Sequence, residues 1–406
     1  MIRFHLYLLA LLALLTLSPA DAAEAREKGF FDFRDGDRVV FLGSAFIERM
    51  QTHGYLETMI TAALPDKNIT FRNLGWSGDT VWGDARGVFG SRADGFKRLL
   101  SDVKLCEPTV IIVCYSENEA HAGAAGVEEF RNGLNKLLDS LEATGARLLL
   151  LSPRQHESLG YPLPDAKEYN KSLKLYRDVI QETAKVRDHA FIDLYDIAVK
   201  PSKERPTPYL TDNGVHLSEA GERRVAHALL TQLGVPRNEV RIEIDVAAPA
   251  LHAIGTQVFD LQTTDKTVSF SAIWRGANLG RFDDSGWYES ERLLTVKGLA
   301  PGKLYLLSID GEQLPPHPSD KKGTYYLVAG EVRTAELMHK IAEKNSLFFN
   351  RYRPQNETYL FLFRKHEQGN NAVEIPQFDP LIAEKEKEIA ALRKPVVHKF
   401  ELKLVE

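Results

Sequence analysis

The sequence predicts a three-layer α/β/α domain on a five-stranded parallel sheet, followed by a small β-sandwich and a helical C-terminal extension. Three observations carry that expectation. Between residues 38 and 232, short β-branched runs alternate with longer helical patterns, the mark of βαβ units. After Gly234-Val235-Pro236 the apolar period drops to two, as half-buried antiparallel strands require. Beyond residue 320 the pattern turns helical again. At 406 residues the chain also exceeds what one hydrophobic core usually serves, so more than one domain is expected.

The elements follow in order. Residues 1–22 combine a positively charged start, a short apolar run and an Ala-x-Ala site at Ala20-Asp21-Ala22, which describes a signal peptide for export to the periplasm or beyond. Residues 23–235 form the expected α/β domain. Its strands fall at 38–42, 69–73, 109–114, 147–151 and 190–193, and its helices at 46–64, 95–103, 126–143, 167–186 and 218–233. In such sheets, ligands bind beyond the carboxyl ends of the strands. Residues 237–320 contain alternating runs such as Val240-Arg241-Ile242-Glu243-Ile244 and are expected to make the sandwich. Residues 321–406 are expected to be a helical, aromatic-rich extension, with helices at 334–345 and 380–393. Asp379 fits an N-cap there, and Pro380 the first turn.

Composition excludes several classes. A net charge of -5 without a clustered basic stretch gives no nucleic-acid footprint. After signal cleavage no apolar run is long enough to span a membrane. The two cysteines, Cys106 and Cys114, read as small buried hydrophobes rather than a bridge, since Cys114 ends an apolar run. No Cys-x-x-Cys or clustered His accompanies them, so neither metal nor other cofactor is expected. No segment speaks to oligomeric state.

Four segments sit where strands end or where the last helix begins: Gly43-Ser44-Ala45-Phe46, Ser77-Gly78-Asp79-Thr80, Ser116-Glu117-Asn118-Glu119 and Thr211-Asp212-Asn213-Gly214-Val215-His216. Together they resemble the four sequence blocks of the SGNH (GDSL-type) hydrolase superfamily, which has a flavodoxin-like fold. The resemblance covers residues 38–232, half the chain. It implies an oxyanion hole at Gly78 and Asn118 and a catalytic His at His216. It also implies two departures. Ala45 stands at the serine nucleophile's position, and Asn213 stands at the acid's position, with Asp212 one residue upstream.

The donors and base are therefore retained while the nucleophile and orienting acid are altered. Replacing the orienting carboxylate by an amide costs about 10⁴ in kcat in the trypsin case, through the wrong histidine tautomer. Ser44 is a candidate substitute nucleophile, although adjacent residues in a turn project differently. Alternatively Glu117, Glu119, Asp212 or His216 activates water directly. Trp76, Glu117 and Glu119 are candidate substrate contacts, with a core role for Trp76 equally open. The leading functional expectation is an exported ester hydrolase, of carbohydrate-deacetylase type, acting on a small-molecule or glycan ester. A catalytically inactive glycan or ligand binder is the alternative, and a structural or assembly protein of the cell envelope the third.

Overall fold

The computed structural model describes residues 31–197, 209–235, 240–274, 281–282, 288–289, 292–328, 332–367 and 371–405; the expected export segment lies outside them. Five parallel strands, β1 (Arg38–Gly43), β2 (Thr70–Asn73), β3 (Val110–Cys114), β4 (Arg147–Leu151) and β5 (Ala190–Ile192), pair in the order β2-β1-β3-β4-β5. The central strands read as unbroken apolar runs, because both of their faces are covered. Val40, Leu42, Ile111 and Val113 face one core cluster, and Val39, Phe41, Val110 and Ile112 the other.

The helices are α1 (Ala45–Met50), α2 (Tyr55–Ala63), α3 (Arg92–Leu105), α4 (Val127–Glu142), α5 (Lys167–Val186) and α6 (Glu219–Gln232). The single helix expected over 46–64 is thus two. Gly54 breaks it by taking a left-handed φ of 64° as the N-cap of α2. A side chain there would also strike Ile341 from the C-terminal region. Cys106 and Cys114 are buried and unbridged.

The sandwich packs two sheets over one core. One joins β6 (Val240–Asp245), β7 (Ala250–Ile254), β10 (Arg292–Lys297) and β12 (Tyr325–Val328). The other joins β8 (Val258–Thr263), β9 (Thr267–Trp274), β11 (Leu304–Ile309) and β13 (Val396–Leu404). Strand β13 was not expected: it lies between β9 and β11 and inserts Phe400 and Leu402 into the sandwich core. The extension is therefore helical only as far as Leu392, and the chain end belongs to the sandwich.

Two long helices, α7 (Val332–Tyr352) and α8 (Phe378–Leu392), fill the interval and pack against the α/β domain. The cap of α8 is Gln377, while Asp379 pairs with Arg351 of α7. Lys344 of α7 is buried against Glu57 of α2 and donates to the Phe71 carbonyl of β2. Tyr352 donates its hydroxyl to the Gly75 carbonyl, at 2.8 Å. Among the described residues no helix is long and apolar enough to cross a membrane.

Candidate active site

The carboxyl ends of β1, β2 and β3 and the loop entering α6 meet at one side of the sheet. A cavity of about 130 Å³ opens there, lined among others by Ala45, Arg49, His53, Glu117, Asp212, His216 and Glu222. Ala45 reaches it because it opens α1 directly after β1. Glu117 reaches it because it lies three residues beyond the end of β3. His216 is presented by a short loop tied at its neck: the Asp212 N–H donates to the His216 carbonyl, and Thr211 bridges to Leu217.

The last loop is held from beneath. Glu157 accepts from the Leu210 and Thr211 amides, and Arg154 donates to the Val215 carbonyl at 2.6 Å. Ser218 caps α6 by accepting from the Gly221 amide. The second-block loop is equally fixed: Gly75 packs so close to α1 that a Cβ would lie 2.1 Å from the Glu48 nitrogen.

Residues 48–224 match the family model of the GDSL-like Lipase/Acylhydrolase family. The α/β domain is an SGNH (GDSL-type) hydrolase domain. The match begins after Ala45, so it leaves the first block to be judged on geometry. Over nearly its whole length the chain is similar to a gut microbial diltiazem-metabolizing enzyme, with a TM-score of 0.71 at 17% identity, covering 93% of this chain and 99% of that one. That likeness extends the shared fold through the sandwich and the two long helices. An acetyl xylan esterase from Geobacillus stearothermophilus is similar at 18% identity over 50% of this chain and 98% of its own, with a TM-score of 0.39. An α/β hydrolase from the metagenome of Lake Arreo, Spain, stands at 19% identity, 50% and 97% coverage and a TM-score of 0.39. No curated protein matches the chain.

Within the SGNH domain the expected site residues divide. Ala45, Glu117, Asp212 and His216 come together in the cavity. Ser44 does not: it is buried, and its hydroxyl donates to Glu117 at 3.4 Å. Glu119 turns beneath its own loop, accepting from the Val81 and Ser116 amides, and burial pushes its pKa up to about 7. Trp76 is buried between Arg353, 3.9 Å from its ring centroid, and Arg86, so it faces α7 rather than solvent. Gly78 sits at an exposed turn with φ 81° and open space where a side chain would be. Beside it, Asn118 donates one amide hydrogen to the Asp79 carbonyl at 2.6 Å, tying the third block to the second.

The electrostatics single out three groups. Burial raises the Glu117 pKa above its ordinary value, with Arg154 and the Ser44 hydroxyl opposing. Burial also raises Glu222, to about 8, and its Oε1 has no hydrogen-bond partner. His216 is lowered by burial and by Arg49 and Arg154, with Asp212 opposing. Glu222, Arg49 and Arg154 were missed in the sequence. Helical spacing gave one signal, since Glu222 lies four residues after the cap Ser218 and so shares its face.

Proposed function

We propose that this protein is an exported ester hydrolase of the carbohydrate-deacetylase type that works without a covalent serine intermediate. Water attacks the acyl carbon while Glu117 takes its proton. The observation that carries the reading is the exchange of places at the first block: Ala45 lines the cavity, and the Ser44 hydroxyl is turned onto Glu117 instead. A carboxylate whose pKa is raised by burial is a stronger base for water than an exposed one. The SGNH domain and an acyl-sized cavity lined with charged and polar groups support a small ester of a polar alcohol. Gly78 and Asn118 keep the oxyanion role in this reading, because their loops are linked at the same sheet end.

The test is acetate release from p-nitrophenyl acetate and from acetylated xylo-oligosaccharides. Wild-type protein and Ser44→Ala are expected to turn over at similar rates. Glu117→Gln is expected to lose about 100-fold in kcat. No release above background from wild type overturns the hydrolase reading in favour of a binding protein. Equal rates for wild type and Glu117→Gln overturn the role of Glu117.

A further inference from the structure

We infer that His216 acts as a neutral hydrogen-bond donor through Nε2–H, with its tautomer fixed by Asn213, and that it is not the base of this site. This rests on the hydrolase reading and assigns the roles within it. The Asn213 side-chain oxygen accepts from two backbone amides, Val215 at 3.1 Å and His216 at 2.8 Å. Exchanging its oxygen and nitrogen would set an NH₂ group against two N–H donors, so the orientation is determined. The atom facing the imidazole is then Asn213 Nδ2, 3.2 Å from His216 Nδ1.

An amide nitrogen only donates, so Nδ1 must accept with its lone pair. In the neutral ring the proton is then on Nε2, the nitrogen on the other side of the ring from Asn213. A carboxylate at position 213 would do the reverse, taking Nδ1–H and leaving Nε2 free as a base. The surroundings also keep the ring neutral. Burial first, then Arg49 from α1 and Arg154 after β4, disfavour the imidazolium, and Asp212 on the histidine's own loop opposes them. Glu117, His53, Glu219 and Glu222 complete the charged and titratable wall of the cavity.

The chemistry balances with the roles reversed. Water oxygen bonds to the acyl carbon as Glu117 takes the water proton. The ester C–O bond then breaks, and the same proton passes from Glu117 to the departing alkoxide. His216 keeps its proton throughout and donates a hydrogen bond to the oxygen where negative charge develops, as neutral imidazoles do in other sites. Asn213 is a positioning residue, since it acts only through the ring.

The experiment is nitrogen NMR on full-length protein labelled with ¹⁵N-histidine, with His216→Gln used to identify the ring signals. Wild type is expected to show a pyridine-like Nδ1 and a pyrrole-like Nε2. Asn213→Asp is expected to exchange the two, with acetate release falling about 100-fold as the donor is lost. A pyrrole-like Nδ1 in wild type overturns the inference, whatever the protein's activity. A pyridine-like Nδ1 without acetate release upholds the tautomer and overturns the hydrolase reading instead. Should Asn213→Asp fail to fold, Asn213→Ala is expected to give a mixture of the two tautomers, and an unchanged pattern in Asn213→Ala overturns the inference.

Discussion

Two charge networks flank the same end of the parallel sheet, and they are built on opposite rules. On the second-block side, every arm of the buried Arg86 guanidinium is used: Nε reaches Asp79 at 2.7 Å, Nη1 reaches Asp102 at 3.1 Å, and Nη2 donates to the Leu74 carbonyl. Asp79 also accepts from the Ala85 amide and the Tyr115 hydroxyl. Arg98 continues the network from Asp102 to Glu357. On the cavity side, Glu222 keeps an oxygen without a partner, as does Arg154 its Nε, and the carboxylates Glu117 and Glu222 are shifted upward by burial. Saturated charges hold the loop carrying Gly78, while unsaturated ones stand on the cavity side. Such unpartnered and shifted groups are expected where chemistry is done.

The sharpest way to break that contrast is to cut a saturated centre. Arg86→Ala leaves the buried Asp79 without its cation and Asp102 with Arg98 alone, and a loss of about 3–5 kcal/mol is expected in denaturant unfolding. A loss no larger than that of a surface substitution would show that the network is not the scaffold. Glu117→Gln should do the opposite, with kcat down about 100-fold and the unfolding midpoint nearly unchanged.

Glu222 tests the cavity side through pH. Its folded pKa, about 8, lies above its unfolded one, so its protonated form contributes stability that is complete at low pH and lost as pH rises through that value. Glu222→Gln should therefore melt with wild type below about pH 4 and above it at about pH 9. Coincident melting at both pH values would place Glu222 in water. The smallest effect is expected at Arg353, which lies over Trp76 and pairs with Glu48 while partly exposed. Arg353→Ala should cost about 1 kcal/mol, read by denaturant unfolding. A larger loss would move the C-terminal helix from brace to core.

Much of the fold was legible because the sheet is buried on both faces, so strands such as Val110–Cys114 stand out as apolar runs between helical periods. The break at Gly54 was hidden, since the residues on both sides keep a helical period and only tertiary packing against Ile341 demands the turn. Strand Val396–Leu404 did carry a signal, the alternation ending Phe400-Glu401-Leu402-Lys403. It follows a helix so closely that the change of period was read through. At the site, the substitutions at positions 45 and 213 were visible as residue types. Their consequence was not, because the direction of the Ser44 hydroxyl and the pinning of the Asn213 oxygen depend on backbone that only the fold supplies. Trp76 shows the converse: an aromatic beside a block invites a sugar, but α7 already occupies its face.

The central claim is hydrolysis by water at a site whose serine is turned away. It is tested most directly by mass spectrometry of protein quenched during turnover of an acetyl ester in ¹⁸O-labelled water. Released acetate is expected to carry ¹⁸O, with no acetylated enzyme at any time. An acetyl group accumulating on Ser44 during turnover, and discharged with it, would instead make Ser44 the nucleophile.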